Sequence, residues 1–326
     1  MCVCVTVIIP NYNGRKFIHE CLDSLRLQNF KDFKIIVVDN ASTDGSAEEI
    51  EEEYEEVRLI RNDKNYGFSQ AVNTGIRAAD TEFVILLNND AMCEYNFIEE
   101  LVKGIRKSDR IFSCGAKMIQ YHDHKKLDNT GDFYTIFGWA YQRGLDESIR
   151  KYKKAERVFS ACAGAAIYRR ELFEQIGYFD EQHFAYLEDV DIGFRANILG
   201  YKNYYLPKAV AYHIGSASSG VRYNEFKVKL AARNSVYVYY KNLPSLQLLL
   251  NAPFIAAGHF IKYLFFKKKG LDKLYLKGVA EGYKTLDKVS KVPYDSGNLN
   301  HYIWIQISMF GGIWNLVKGR LMNDQR

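Results

Sequence analysis

The stretch Phe83-Val84-Ile85-Leu86-Leu87-Asn88-Asn89-Asp90 decides the fold: apolar residues without alternation end abruptly in a polar cluster. Three earlier runs behave the same way. Val3 to Ile9 leads into Pro10-Asn11-Tyr12-Asn13, Lys34 to Val38 into Asp39-Asn40, and Val57 to Ile60 into Arg61-Asn62-Asp63. Short apolar runs of this kind suit strands buried on both faces, as in a parallel sheet. Such sheets bind ligands outside the carboxyl ends of their strands. The polar clusters are therefore expected to line one crevice, with Asp90 at its floor.

Helical patterns lie between these runs. Phe17, Cys21, Leu22 and Leu25 recur at helical spacing, Ser46 to Tyr54 is an acidic helix, and Phe68 to Ala79 is a third. Strand and helix in alternation predict βαβ units and a doubly wound sheet. A helix over Ile98 to Ile105 and a strand over Ile111 to Ile119 follow. From Gln120 to Arg157 the pattern loosens into expected loops over the crevice. Regularity returns with the small, apolar Val158 to Tyr168, a helix over Arg169 to Ile176, and another opening at Glu188 and ending near Gly200. Tyr204 to Leu206 and Ala209 to His213 read as two short strands.

Composition narrows the function. A chain of 326 residues with 48% hydrophobic and 25% charged residues is that of a folded protein. The net charge of +5 conceals an asymmetry. Of 44 Lys+Arg and 39 Asp+Glu, residues 222–326 hold 17 and 6, which leaves 27 and 33 for residues 1–221. An acidic body with a basic tail suits an anionic surface as the tail's partner, while no nucleic-acid motif is present. The six cysteines form no CxxC pair, so free thiols in a reducing compartment are expected, with Cys2 and Cys4 on one strand face. No signal peptide is expected from the first residues.

Four places offer chemistry. Asp90 at a strand end can hold a divalent cation through oxygen, or cap a turn. His213, after Val210-Ala211-Tyr212, could add a nitrogen ligand or be a structural histidine. Glu188, Asp189 and Asp191 crowd one helix turn, where the helix dipole favours acids and where one carboxylate could take a proton from an attacking hydroxyl. Asp39 reads as an Asx-turn or as a partner for a base or ribose. No GxGxxG or GxxxxGK[ST] motif follows an early strand, which disfavours dinucleotide and P-loop binding.

Together these segments resemble the family 2 glycosyltransferases of the GT-A fold over about residues 5–240. The motifs are Val7 to Asn13, Ile36 to Gly45, Asn65-Tyr66-Gly67-Phe68, Leu86 to Asp90, Gly177 to Glu181, Phe184 to Asp191, Gly200-Tyr201 and the His213 segment. The rhamnosyltransferase-like and galactofuranosyltransferase-like bacterial branch is the most similar. The resemblance implies an α/β, doubly wound, mostly parallel sheet with a C-terminal helical extension. It places Pro10, Asn11 and Asp39 around the donor nucleoside, Asn65 and Gly67 in a loop over the nucleotide, and Asn88, Asn89 and Asp90 at the DxD-type motif. Only Asp90 of those three is a carboxylate, so it would be the main contact to Mn2+ or Mg2+. His213 matches a second metal ligand and Asp189 the general base, with Glu188 and Asp191 as supports or acceptor contacts. The implied reaction is inverting transfer from a UDP- or dTDP-sugar to a glycan or lipid-linked acceptor in surface polysaccharide synthesis.

The expected organisation is a catalytic domain over residues 1–221, with a nucleotide half to about 119 and an acceptor half beyond, and a basic, aromatic helical region over 222–326. Apolar residues from Leu271 to Val289 recur at helical spacing among lysines, which suits a helix on an anionic bilayer or one packed on the body. Peripheral contact through residues 245–326, at the cytoplasmic face of the inner membrane, is the expectation. Arg222 or Arg233 is a candidate phosphate partner. The competing readings are a sugar-phosphate nucleotidyltransferase and an inactive sugar-nucleotide-binding scaffold.

Overall fold

The computed structural model describes residues 4–215 and 223–323. The four apolar runs are strands β1 (Val5–Asn11), β2 (Phe33–Asp39), β3 (Val57–Arg61) and β4 (Phe83–Leu87). Helices α1 (Arg15–Arg26), α2 (Ser46–Glu53) and α3 (Gly67–Ala78) connect them. The strands lie parallel in the order β3-β2-β1-β4. Alternation along β1 feeds two cores: Val5, Val7 and Ile9 pack with Ile18, Cys21, Leu22 and Leu25 of α1, whereas Ile8 packs with Val72 and Ile76 of α3. Both faces are covered, which is why these runs carry no polar alternation.

The chain continues through β5 (Ala91–Cys93), α4 (Phe97–Ile105), β6 (Ile111–Gln120), β7 (Leu127–Asn129), β8 (Asp132–Tyr134), β9 (Ala140–Gln142), β10 (Glu156–Val158), β11 (Ala165–Arg169), α5 (Phe173–Ile176), α6 (Glu188–Ile198) and β12 (Lys202–His213). The sheet runs β10-β12-β6-β11-β4-β1-β2-β3, with β11 antiparallel between β4 and β6 and β12 parallel to β6. Two expectations need correction. The segment from Gln120 to Arg157 is not all loop: β7 pairs with β6, and β8 and β9 form their own hairpin. Val158 to Tyr168 takes in the end of β10 and the start of β11. The two short strands expected before His213 are one, β12, whose register shifts between Leu206 and Val210. Pro207 lies in that shift, where its missing N–H costs no ladder bond.

Beyond β12 come α7 (Glu225–Asn242), α8 (Ser245–Lys267), α9 (Asp272–Lys284) and α10 (Leu299–Asn323), on the far side of the undescribed residues 216–222. They share a core with β8 and α6. Tyr134, Phe159, Val190 and Phe194 cluster with Val236, Ile255, Tyr302, Ile305 and Met309. The β8–β9 hairpin is tied to these helices directly: Trp139 Nε1 donates to the Gly258 carbonyl (3.2 Å) and Tyr141 Oη to that of Gly312 (2.6 Å). Much of the stripe over Leu271 to Val289 packs on the protein, while Tyr283 stays exposed. Tyr275, Gly278 and Gly282 are buried, and a Cβ at Gly278 would collide with the Lys229 carbonyl of α7. The exposed apolar faces belong instead to α8 and α10. Cys4, Cys21 and Cys114 are buried free thiols; Cys2 lies outside the described residues.

Candidate active site

A cleft of about 970 Å³ opens at the carboxyl ends of β1 and β4. Pro10, Asn11, Asn65, Gly67, Asn88, Asn89, Asp90, Glu188, Asp189 and His213 line it together, although more than 200 positions of sequence separate the first from the last. Asp39 and Asp191 stand behind its walls.

At the ends of β1 and β2 the polar residues hold one another. Asp39, 2% exposed, accepts from Asn11 Nδ2 (2.8 Å), Ser42 Oγ (2.6 Å) and the Ser42 amide (2.9 Å). Asn11 Oδ1 in turn accepts from Asn89 Nδ2 (2.8 Å). Asp39 thus orients Asn11, and Asn11 fixes the loop after β4. Gly67 has φ +84°, a left-handed conformation, and any Cβ there would strike the Phe184 carbonyl. Its amide donates to Asn65 Oδ1 (2.9 Å), and its carbonyl accepts from Asn40 Nδ2 (3.0 Å). Only glycine lets the loop after β3 press against the segment leading to α6.

The second group meets at the floor. β12 pairs with both β5 and β6, which sets His213 opposite Ala91 and beside Asp90. His213 Nε2 lies 3.2 Å from Asp90 Oδ1, and Nδ1 lies 2.9 Å from Asp128 Oδ2. The Asn88 amide is 3.0 Å from the same Nε2. Burial works against an imidazolium here, but Asp128 and Asp90 outweigh it and lift His213 to about 10. Asp90 is lowered in spite of burial, chiefly by His213. One nitrogen and one carboxylate oxygen thus point at a shared place in the cleft, and Asp128 fixes the ring by its other nitrogen. With Nε2 deprotonated, as a ligand must be, that pair could hold a divalent cation that keeps water or phosphate oxygens as further ligands. Asp128 was missed in the sequence because it sits in the segment expected to be loop; the turn-forming run Asp128-Asn129-Thr130-Gly131 gave no hint of its partner.

The third group surrounds the start of α6. Asp189 Oδ1 accepts from the Val190 amide (2.8 Å) and Oδ2 from the Ala163 amide (3.4 Å). Burial pushes its carboxyl up to about 6, with those amides pulling the other way. Asp132 and Cys162 are its neighbours, with one ligand-type atom of each residue within 4.8 Å of the others. Glu188 is held well above the ordinary range by burial and then by Asp189. Asp191 points away from the cleft, since residues two apart lie on opposite sides of a helix. It meets Arg195 Nη2 (2.9 Å), Lys241 Nζ (3.0 Å) and Asn242 Nδ2 (2.8 Å), and so ties α6 to α7. Arg233 is also diverted, to the carbonyls of Gln182 and His183 and to Glu281, so it is not placed for phosphate. Lys227 lines the cleft instead. Arg222 lies outside the described residues.

The strand order and the crevice give the chain the GT-A fold. Mannosyltransferase PcManGT from Pyrobaculum calidifontis, solved with GDP-Man and Mn2+, has a TM-score of 0.55 at 17% identity, over 96% of this chain and 86% of that one. S. aureus TarS 1–349 in complex with UDP-GlcNAc also gives 0.55, at 18% identity, over 93% and 79%. At the level of sequence, residues 6–177 match the model of glycosyl transferase family 2, and the chain belongs to that family. Glycosyltransferase GlyA of Streptococcus pneumoniae is 28% identical over 222 residues, and the N-acetylglucosaminyl-diphospho-decaprenol L-rhamnosyltransferase of Mycobacterium tuberculosis is 26% identical over 236. Each match takes in 66% of this chain, but only 31% of GlyA against 77% of the mycobacterial enzyme.

Proposed function

We propose that the protein is an inverting glycosyltransferase that moves a sugar, rhamnose among the candidates, from a UDP or dTDP donor to a glycan or lipid-linked acceptor in surface polysaccharide synthesis. The observation that carries this is the meeting of Asp90, His213 and Asp189 in one cleft. Asp189, half-buried at the head of α6 and free of cationic partners among its described contacts, accepts the proton of the acceptor hydroxyl. The acceptor oxygen bonds to the anomeric carbon as the bond to the diphosphate breaks on the opposite side. Asn11, Asn65 and Gly67 shape the nucleoside end, and Asp128 keeps His213 turned toward Asp90. Asp90 and His213 would hold Mn2+ or Mg2+, which would supply Lewis-acid charge for the leaving diphosphate. A panel of nucleotide-sugars, assayed for diphosphate release with Mn2+ and with EDTA, tests the reading. Release of a nucleoside diphosphate from one donor supports it. Release of pyrophosphate from sugar phosphate and nucleotide favours a nucleotidyltransferase, and binding without turnover favours a scaffold.

Contact with an anionic bilayer belongs to the same proposal. Ser245–Lys267 is a helix long and apolar enough to cross a membrane by length and composition. Its Asn251, Ile255, Gly258 and Phe266 are nevertheless buried against the protein. An apolar face open on one side only suits a helix lying in the interface rather than across it. Leu246, Leu249, Leu250 and Phe260 on α8, with Ile303, Ile307 and Phe310 on α10, form that face, and Lys267 to Lys269 flank it. Flotation with anionic vesicles checks this: the native chain is expected to float, and Leu249→Glu with Phe260→Glu to stay behind. Equal flotation of both would count against membrane docking.

A further inference from the structure

The cleft holds a carboxylate that the mechanism above does not use. Asp132 begins β8 and is 5% exposed, with its amide bound to the Ser160 carbonyl (2.9 Å) and its own carbonyl to the Phe159 amide (3.2 Å). Asp132 Oδ1 accepts from Asn129 Nδ2 (2.9 Å), whereas Oδ2 is buried without a partner. Asp189 lies in the same cluster, within the 4.8 Å that spans it. Two ionised carboxylates this close, away from bulk water, repel strongly, and such pairs relieve the repulsion by keeping one proton.

We propose that Asp132 and Asp189 hold one proton between them, with Asp132 carrying it and Asp189 left ionised as the base. The donors around each carboxylate assign the proton. Asp189 receives two backbone amides, which stabilise its ionised form, while Asp132 receives one side-chain amide and keeps a bare oxygen. The charged and titratable groups facing the pair are Glu188 from the same end of α6, Asp128 from β7, Cys162 from the turn before β11, Tyr168 from β11 and Arg143 after β9. Arg143, the cation among them, gives Nε to the Thr130 carbonyl and Nη1 to Glu156, and its buried Nη2 has no partner. Asp132 also moves upward, first by burial and then by Asp189, in the direction the geometry requires.

The shared proton sets the charge of the acceptor side. With Asp132 neutral, the pair presents one negative charge instead of two to an incoming nucleoside diphosphate. During transfer the acceptor O–H bond breaks toward Asp189, the new C–O bond forms, and the diphosphate leaves with the electrons of the old one. Both carboxyls are then protonated, and one proton passes to water when product departs. Asp132 is a positioning residue that acts through Asp189.

This rests on Asp189 as base, but its direct test does not need turnover. Infrared spectra of the full chain report the C=O stretch of protonated carboxyl groups; Glu188 contributes its own band, so difference spectra are read. At neutral pH, Asp132→Asn is expected to lose intensity that the native chain shows. In Asp189→Asn the remaining band should vanish at a lower pH than in the native chain, because the neighbouring charge is gone. An unchanged band in the first variant, or an unshifted titration in the second, overturns the proposal; the second stands alone if the first does not fold. In turnover, Asp132→Asn is expected to lower kcat/KM by about tenfold and to flatten the alkaline limb of its pH profile. The same loss at every pH would mark a structural role and overturn it.

Discussion

The two sides of α6 put the same side chain to opposite uses. Asp189 faces the cleft with amides and acids for company, and its carboxyl is pushed up to about 6. Asp191, two residues on, faces α7 with Arg195, Lys241 and Asn242, and is held well below the ordinary range. Burial is the first influence on both and raises both. What separates them is the supply of cations, which the fold withholds from the side proposed to take up a proton and delivers to the side that holds helices together.

The largest effect expected from breaking this contrast is on the cleft side. Asp189→Asn should lower transfer by about 10³-fold and leave nucleotide binding in place, as read by turnover beside calorimetry. Retained turnover would remove Asp189 from its role. On the other side, Asp191→Asn should leave transfer chemistry intact in whatever folds, and cost about 3 kcal/mol, because Arg195 and Lys241 stay buried with a weaker partner. Its pH dependence has a definite sign. A carboxylate depressed in the folded state stabilises above its unfolded value of about 4, and that stability drains away as pH falls. Urea midpoints of native chain and variant should therefore differ fully at neutral pH and converge on acidification. A gap that widened in acid would refute the assignment. The smallest effect belongs to Asp128→Asn, which loosens His213 without removing it. Mn2+ affinity, measured by calorimetry, should fall by about tenfold, and unchanged affinity would show that the ring needs no such support.

Much of this was legible in the residues. Apolar runs that stop at polar clusters gave β1 to β4, and helical spacing gave α1 to α4 within a residue or two. The far-apart Asp90, Asp189 and His213 were expected in one pocket, and they line one. Asp128 and Asp132 were not legible, because β7 and β8 are three-residue strands. Strands that short show no periodicity, and their place is set by pairing with β6 and by the Ser160 carbonyl rather than by local preference. The stripe on α9 left two readings open for another reason: an amphipathic pattern says that one face is apolar, not what it meets. Gly278 and Gly282 within that stripe were the available clue, since small residues let another helix come close.

The hairpin of β8 and β9 has a consequence for how the molecule can be cut. Tyr141 borders the cleft and is bonded to Gly312, and Trp139 is bonded to Gly258. Severing the polypeptide after Leu243 would therefore do more than release a tether. It would take the scaffolding from behind one wall of the reaction chamber, and whatever the last two long helices rest upon would be felt where sugar meets acceptor.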